Sequence, residues 1–148
     1  MPQSPIVSQP KRTLLLYGAV LILLGLLSGL VAPEVTNPRM GLSAHVGGVL
    51  NGMLLIILGL AWPYARLSSG LDRTTTRLLL FSLYGTWGFT LLGAVFGTSQ
   101  AMPIAGEGFS GERWQEALVT GGLTATALAI LAAIILIVFG FARTRRES

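Results

Sequence analysis

The run "LSAHVGGVLNGMLLIILGLAW", Leu42 to Trp62, decides the fold. It holds no Asp, Glu, Lys or Arg, and it is long enough to cross a bilayer as one helix. Three more stretches share both properties: Leu14 to Val31, Leu78 to Gly97 and Ala117 to Ala142. At ~1.5 Å rise per residue these four would be roughly 27 to 39 Å long. A hydrocarbon core of about 30 Å needs about 20 apolar residues, so each can span, the last with tilt. Composition agrees. The chain has 148 residues, 52% hydrophobic and only 11% charged, with a mean hydropathy of +0.71. A soluble domain carries about 25% charged residues, so this chain cannot cover a surface facing water. The expectation is an all-α integral membrane four-helix bundle, with a membrane domain over residues 14–142.

Charge sets the expected orientation. Lys11 and Arg12 precede the first stretch, Arg66, Arg73 and Arg77 separate the second from the third, and Arg143, Arg145 and Arg146 follow the fourth. The other two connections hold only Arg39 and Arg113 among basic residues. The positive-inside rule then predicts a multi-pass protein with both termini in the cytoplasm. On the outer side it predicts a Pro33–Gly41 turn and a Thr98–Glu116 loop. The first stretch also follows basic residues as a signal peptide would. Leu30 is too large for a cleavage site, however, and Pro33 follows at once, so an uncleaved helix is predicted. Residues 1–13 read as a disordered tail and residues 143–148 as a basic anchor. Despite a net charge of +4, no stretch resembles a nucleic-acid motif, and no nucleic-acid partner is expected.

Polar side chains inside such stretches are costly unless paired or functional. His45, the only histidine, and Asn51 are therefore the leading candidates. Helical spacing places Gly48, Val49 and Gly52 on the face of His45. Two of these three lack a side chain. That face either admits something bulky and flat or packs closely on another helix, as small-x-x-x-small motifs do. There is no cysteine, so thiol chemistry, disulfides and zinc ribbons are excluded. One histidine cannot build a multi-ligand metal site, but haem asks the protein for as little as one ligand, commonly a neutral histidine. Glu107, Glu112 and Glu116 in the outer loop are candidate acids, or simply the start of the fourth helix. Tyr84, Thr86, Trp87 and Thr90 bring polar groups into the third.

Two longer motifs narrow the choice. "NPRMGLSAHVGGVLNGMLLIILGLAWP", Asn37 to Pro63, and "GTSQAMPIAGEGFSGERWQEALV", Gly97 to Val119, resemble the bacterial hydroxylaminobenzene mutases. The likeness runs over most of the chain, from about Leu14 to Phe139. It implies a rearrangement of N-aryl hydroxylamines to 2-aminophenols. The core Ala44-His45-Val46-Gly47-Gly48-Val49-Leu50-Asn51-Gly52-Met53 is also similar to the styrene oxide isomerases, four-helix membrane proteins that turn an aryl epoxide into an aldehyde. That second resemblance implies a homotrimer with ferric haem b between subunits. His45 would be the iron ligand, Gly48 and Gly52 would border the cofactor, and Asn51 would orient a small lipophilic aromatic substrate. For the polar third-helix group at the substrate, Tyr84 and Thr90 are the candidates. Haem iron would act as a Lewis acid. A non-catalytic haem carrier and a structural membrane protein are the other readings of the same residues.

Overall fold

The computed structural model describes residues 11–144. Four helices carry the chain: α1 Arg12–Val31, α2 Pro38–Ala61, α3 Ser69–Phe96 and α4 Arg113–Thr144. Short 3₁₀ turns, Ala32–Glu34 and Trp62–Tyr64, follow α1 and α2. No strand occurs among the described residues. All four helices are long and apolar enough to cross a membrane, and the chain is a multi-pass membrane protein.

The helices outrun the apolar stretches, because hydropathy marks the lipid-facing part of a helix and caps mark its ends. Arg12 and Thr13, expected in a disordered tail, are helical; the rest of that tail, residues 1–10, and the anchor residues 145–148 lie outside the described residues. The expected Pro33–Gly41 turn is shorter, since α2 begins at Pro38. Asn37 caps it, its side-chain oxygen taking the Met40 N–H at 3.2 Å, and proline fits the first helical position. α3 begins at Ser69, nine residues before the apolar run. Its first turns bury Thr75 and Thr76, which hydropathy alone reads as polar.

The packing is antiparallel and sequential. Backbones of α1 and α2 meet where glycine faces glycine, Gly18 on Gly52 and Gly25 on Gly48. α3 packs on α2, with Gly93 against Met40, and also reaches α1 through Tyr84 and Trp87. α4 packs on α3 through Phe89 on Gly122 and Val119 beside Gly93. The buried core joins Leu14, Leu21, Leu55, Leu79, Leu83 and Ile137. Of the other helices, α4 packs on α3 alone. Large apolar side chains such as Leu42, Val46 and Leu50 on α2, and Leu131 and Ile135 on α4, are left exposed.

The connection from α3 to α4 is held by Glu116. Its carboxylate is 4% exposed and accepts the backbone N–H groups of Ser99, Gln100 and Gly111 at 2.9 to 3.0 Å. Asn37 adds a tie, donating from Nδ2 to the Ala105 carbonyl at 2.8 Å. Glu116 is thus a loop latch rather than an acid for chemistry. Glu116→Ala leaves three N–H groups without their acceptor and is expected to cost about 2–4 kcal/mol. Thermal denaturation in detergent, with limited proteolysis between residues 98 and 112, measures it. A variant as stable and as resistant as the parent would remove the latch.

Candidate functional site

His45 lies in the second turn of α2 and turns toward α1. Its Nδ1 is 2.8 Å from the carbonyl oxygen of Gly25. A carbonyl only accepts, so Nδ1 carries a proton, and in the neutral imidazole Nε2 then keeps a free lone pair. The bond thus selects one of the two neutral tautomers. Gly29 makes the contact possible: a Cβ there would collide with Nδ1, Cε1 and Cγ of the imidazole. Ser28 donates to the same Gly25 carbonyl at 2.8 Å, and Trp87 of α3 donates from Nε1 to Ser28 Oγ at 3.4 Å. Three helices therefore meet in the hydrogen-bond chain that orients His45, with α3 reaching the Gly25 carbonyl through Ser28.

Gly48 and Gly52 serve that convergence in a way the open-face reading missed. A Cβ on Gly48 would come within 2.7 Å of Gly25 Cα and of Trp87 Cδ1. One on Gly52 would come within 2.6 Å of the Gly18 carbonyl oxygen and of an Ile22 side-chain carbon. α1 occupies the space that the sequence left for a flat cofactor, so these glycines are helix contacts and do not clear room for a macrocycle. At Gly47, one residue earlier, an added Cβ would meet nothing within 4 Å beyond its own helix backbone.

The other predicted site residues divide between two levels. Asn51 faces α3, donating from Nδ2 to the Leu83 carbonyl at 3.1 Å. Its Oδ1 takes no hydrogen bond from a described residue. Tyr84 reaches α1, its hydroxyl donating to the Tyr17 carbonyl at 2.7 Å and its ring lying edge-on to Tyr17, with centroids 6.1 Å apart. Asn51 and Tyr84 thus belong to one level of the protein. His45 lies about 9 Å along α2 from Asn51, by six residues of rise. Thr90 is buried on α3. The register that pairs Asn51 with Leu83 and Met40 with Gly93 sets it level with Ala44, beside His45 in the chain.

Gly25, Ser28 and Gly29 are the residues that sequence reasoning passed over, while Trp87 stood out there only as a polar group of the third stretch. The signal was present as a second small-x-x-x-small spacing, Gly25 to Gly29, in the first apolar stretch. No group of three or more His, Cys, Asp and Glu occurs among the described residues, which leaves His45 as the residue with metal-ligand character in the membrane.

A model of the styrene oxide isomerase family matches residues 10–142. The chain is 41% identical over 130 residues to the hydroxylaminobenzene mutase HabB of Ectopseudomonas oleovorans, covering 87% of this chain and 79% of that one. It is 39% identical over 127 residues to HabA of the same organism, covering 85% and 94%. No solved structure matches the chain. A membrane protein of four apolar helices, with one half-buried imidazole poised by a backbone carbonyl, and with two named mutases aligned along most of its length, belongs to the styrene oxide isomerase family and is an isomerase.

Proposed function

We propose that the chain rearranges N-aryl hydroxylamines to 2-aminophenols inside the bacterial inner membrane, with a b-type haem held through His45. The observation that carries the chemistry is the 2.8 Å bond from Nδ1 to the Gly25 carbonyl. Metal-ligating histidines characteristically give their other ring N–H to a carbonyl or carboxylate, and this one leaves Nε2 as a neutral donor. The donor set therefore fits haem, although Gly48 and Gly52 do not shape its berth. When bound, ferric haem supplies a Lewis acid for the oxygen of the N–OH group.

The balance of the reaction needs no redox partner. The N–O bond breaks, a C–O bond forms at the ortho ring carbon, that carbon loses its proton, and nitrogen regains one. Asn51 suits the orienting role. With one Nδ2–H on Leu83, it retains one donor and the Oδ1 acceptor, a match for a hydroxylamine that both donates and accepts. The Tyr84 hydroxyl already donates to Tyr17, so toward substrate it acts as an acceptor. Thr90 offers a further hydroxyl near the level of His45. An apolar surround keeps water from a developing cation. The exposed apolar side chains Leu42, Val46 and Leu50 flank the His45 turn on α2, and a homotrimer would cover them. Eight basic residues at one end favour both termini in the cytoplasm.

The test is direct. Detergent-purified protein from haem-replete cells is given phenylhydroxylamine or styrene oxide. Formation of 2-aminophenol, with a Soret band in the preparation, supports the proposal; a haem-free preparation that is fully active refutes the cofactor. A second reading, isomerisation of an aryl epoxide to an aldehyde, is favoured by the family model that matches residues 10–142. It predicts phenylacetaldehyde from styrene oxide and no turnover of the hydroxylamine. Asn51→Ala is expected to reduce kcat/KM about 10-fold, the worth of roughly one lost hydrogen bond, with the Soret band unchanged. Wild-type kinetics in that variant would remove Asn51 from the site.

A further inference from the structure

Three donors converge on one carbonyl oxygen. α1 runs unbroken from Arg12 to Val31, so the Gly29 amide bonds to Gly25 along the helix. The Ser28 hydroxyl and the His45 Nδ1–H both arrive at 2.8 Å. A carbonyl oxygen has two lone pairs, so the three bonds share its capacity and each is weaker than it would be alone. Indole N–H can only donate, which fixes the direction of the 3.4 Å contact from Trp87 to Ser28 Oγ. Donation into a hydroxyl strengthens that hydroxyl's own donation. Ser28 is 3% exposed, so water does not take over either bond.

We infer that Ser28 and Trp87 are positioning residues that set the donor strength of His45 by competing with it for the Gly25 carbonyl. The inference rests, for its functional meaning, on the proposed ligation of haem by His45; the hydrogen-bond arrangement itself does not. A carboxylate at Nδ1 would draw the proton away and give the ring imidazolate character. Such a ring pushes electron density onto a bound metal. The partner here is an uncharged carbonyl, already claimed by Gly29 and Ser28. The ring stays neutral and a weak donor, and a metal bound to a weak donor remains a strong Lewis acid. That demand belongs to an isomerase and differs from the demand of oxygen activation, where a pushing ligand helps.

His45 is the only histidine, so labelling the full chain with ¹⁵N-histidine gives a single imidazole spectrum without assignment. In protein prepared without haem, the wild type should show the Nδ1–H tautomer. Ser28→Ala frees part of the carbonyl and should move the Nδ1–H proton downfield. Trp87→Phe, which keeps the hydroxyl and removes only its polarising donor, should move it the same way by less. An Nε2–H tautomer in the wild type, or an Nδ1–H signal unmoved in both variants, overturns the inference. In haem-loaded protein, Ser28→Ala should lower the midpoint potential of the iron, and an unchanged or raised potential counts against it equally. A wild-type protein without a Soret band would refute haem ligation alone, and the imidazole signals would still decide this inference.

Discussion

His45→Ala should yield a folded, colourless protein whose isomerase activity falls by more than about 100-fold, the upper range for disturbing the shell around a metal ligand. The reasoning is by count and by geometry. The chain has one histidine and no cysteine, so no second imidazole or thiolate can take its place. Structural damage should be small. The substitution removes one hydrogen bond from a carbonyl that keeps the Ser28 hydroxyl, a loss of about 1 kcal/mol. The space above Gly29 is left open, and free imidazole in the buffer should enter it and restore part of the Soret band. Absorption spectra of the parent and variant, beside activity on phenylhydroxylamine, test this. A variant that keeps both its colour and its turnover would sink the assignment of His45.

How far the sequence reveals this arrangement depends on which interaction fixes each part. The spans were legible because lipid demands long apolar runs, and residues such as Leu14, Leu55 and Leu79 satisfy that demand whatever their neighbours. The start of α3 was not, since Thr75 and Thr76 are polar by type and are buried by tertiary packing. His45 and Asn51 stood out because a polar side chain in lipid needs a reason. What each of them bonds to did not, because both acceptors are backbone carbonyls, of Gly25 and Leu83, and every residue has one. The glycines divide in the same way. Helical periodicity places Gly48 and Gly52 on the face of His45, and by sequence that face looks as open as Gly47 does. Only the positions of α1 and α3 decide between Gly47 and Gly48, for a Cβ on Gly48 would strike Gly25 and Trp87 while one on Gly47 would meet no other part of the protein within 4 Å. An open face and a close helix contact have the same sequence signature, and here the contact is what formed.

That distinction carries the second large effect. Gly48→Val should destabilise the protein by about 3 kcal/mol or more, at the upper end of overpacking costs, while Gly47→Ala should leave the chain's own packing unchanged. A Cβ at position 48 comes within 2.7 Å of Gly25 Cα, and one at position 25 within 2.7 Å of the Val49 nitrogen. Both obstacles are backbone, so no rotamer change relieves them and α1 must move away from α2. Trp87 blocks the other direction, with Cδ1 also at 2.7 Å. Separation of α1 from α2 lengthens the bond from His45 to Gly25, so any folded remainder should also lose affinity for haem. Membrane yield, thermal denaturation in detergent and haem content measure the three consequences. If Gly48→Val were as stable as Gly47→Ala, the glycine contact would not be holding the helices together. If it were unstable yet bound haem normally, the orientation of His45 would not depend on α1, and the Gly25 carbonyl would lose its place in the site.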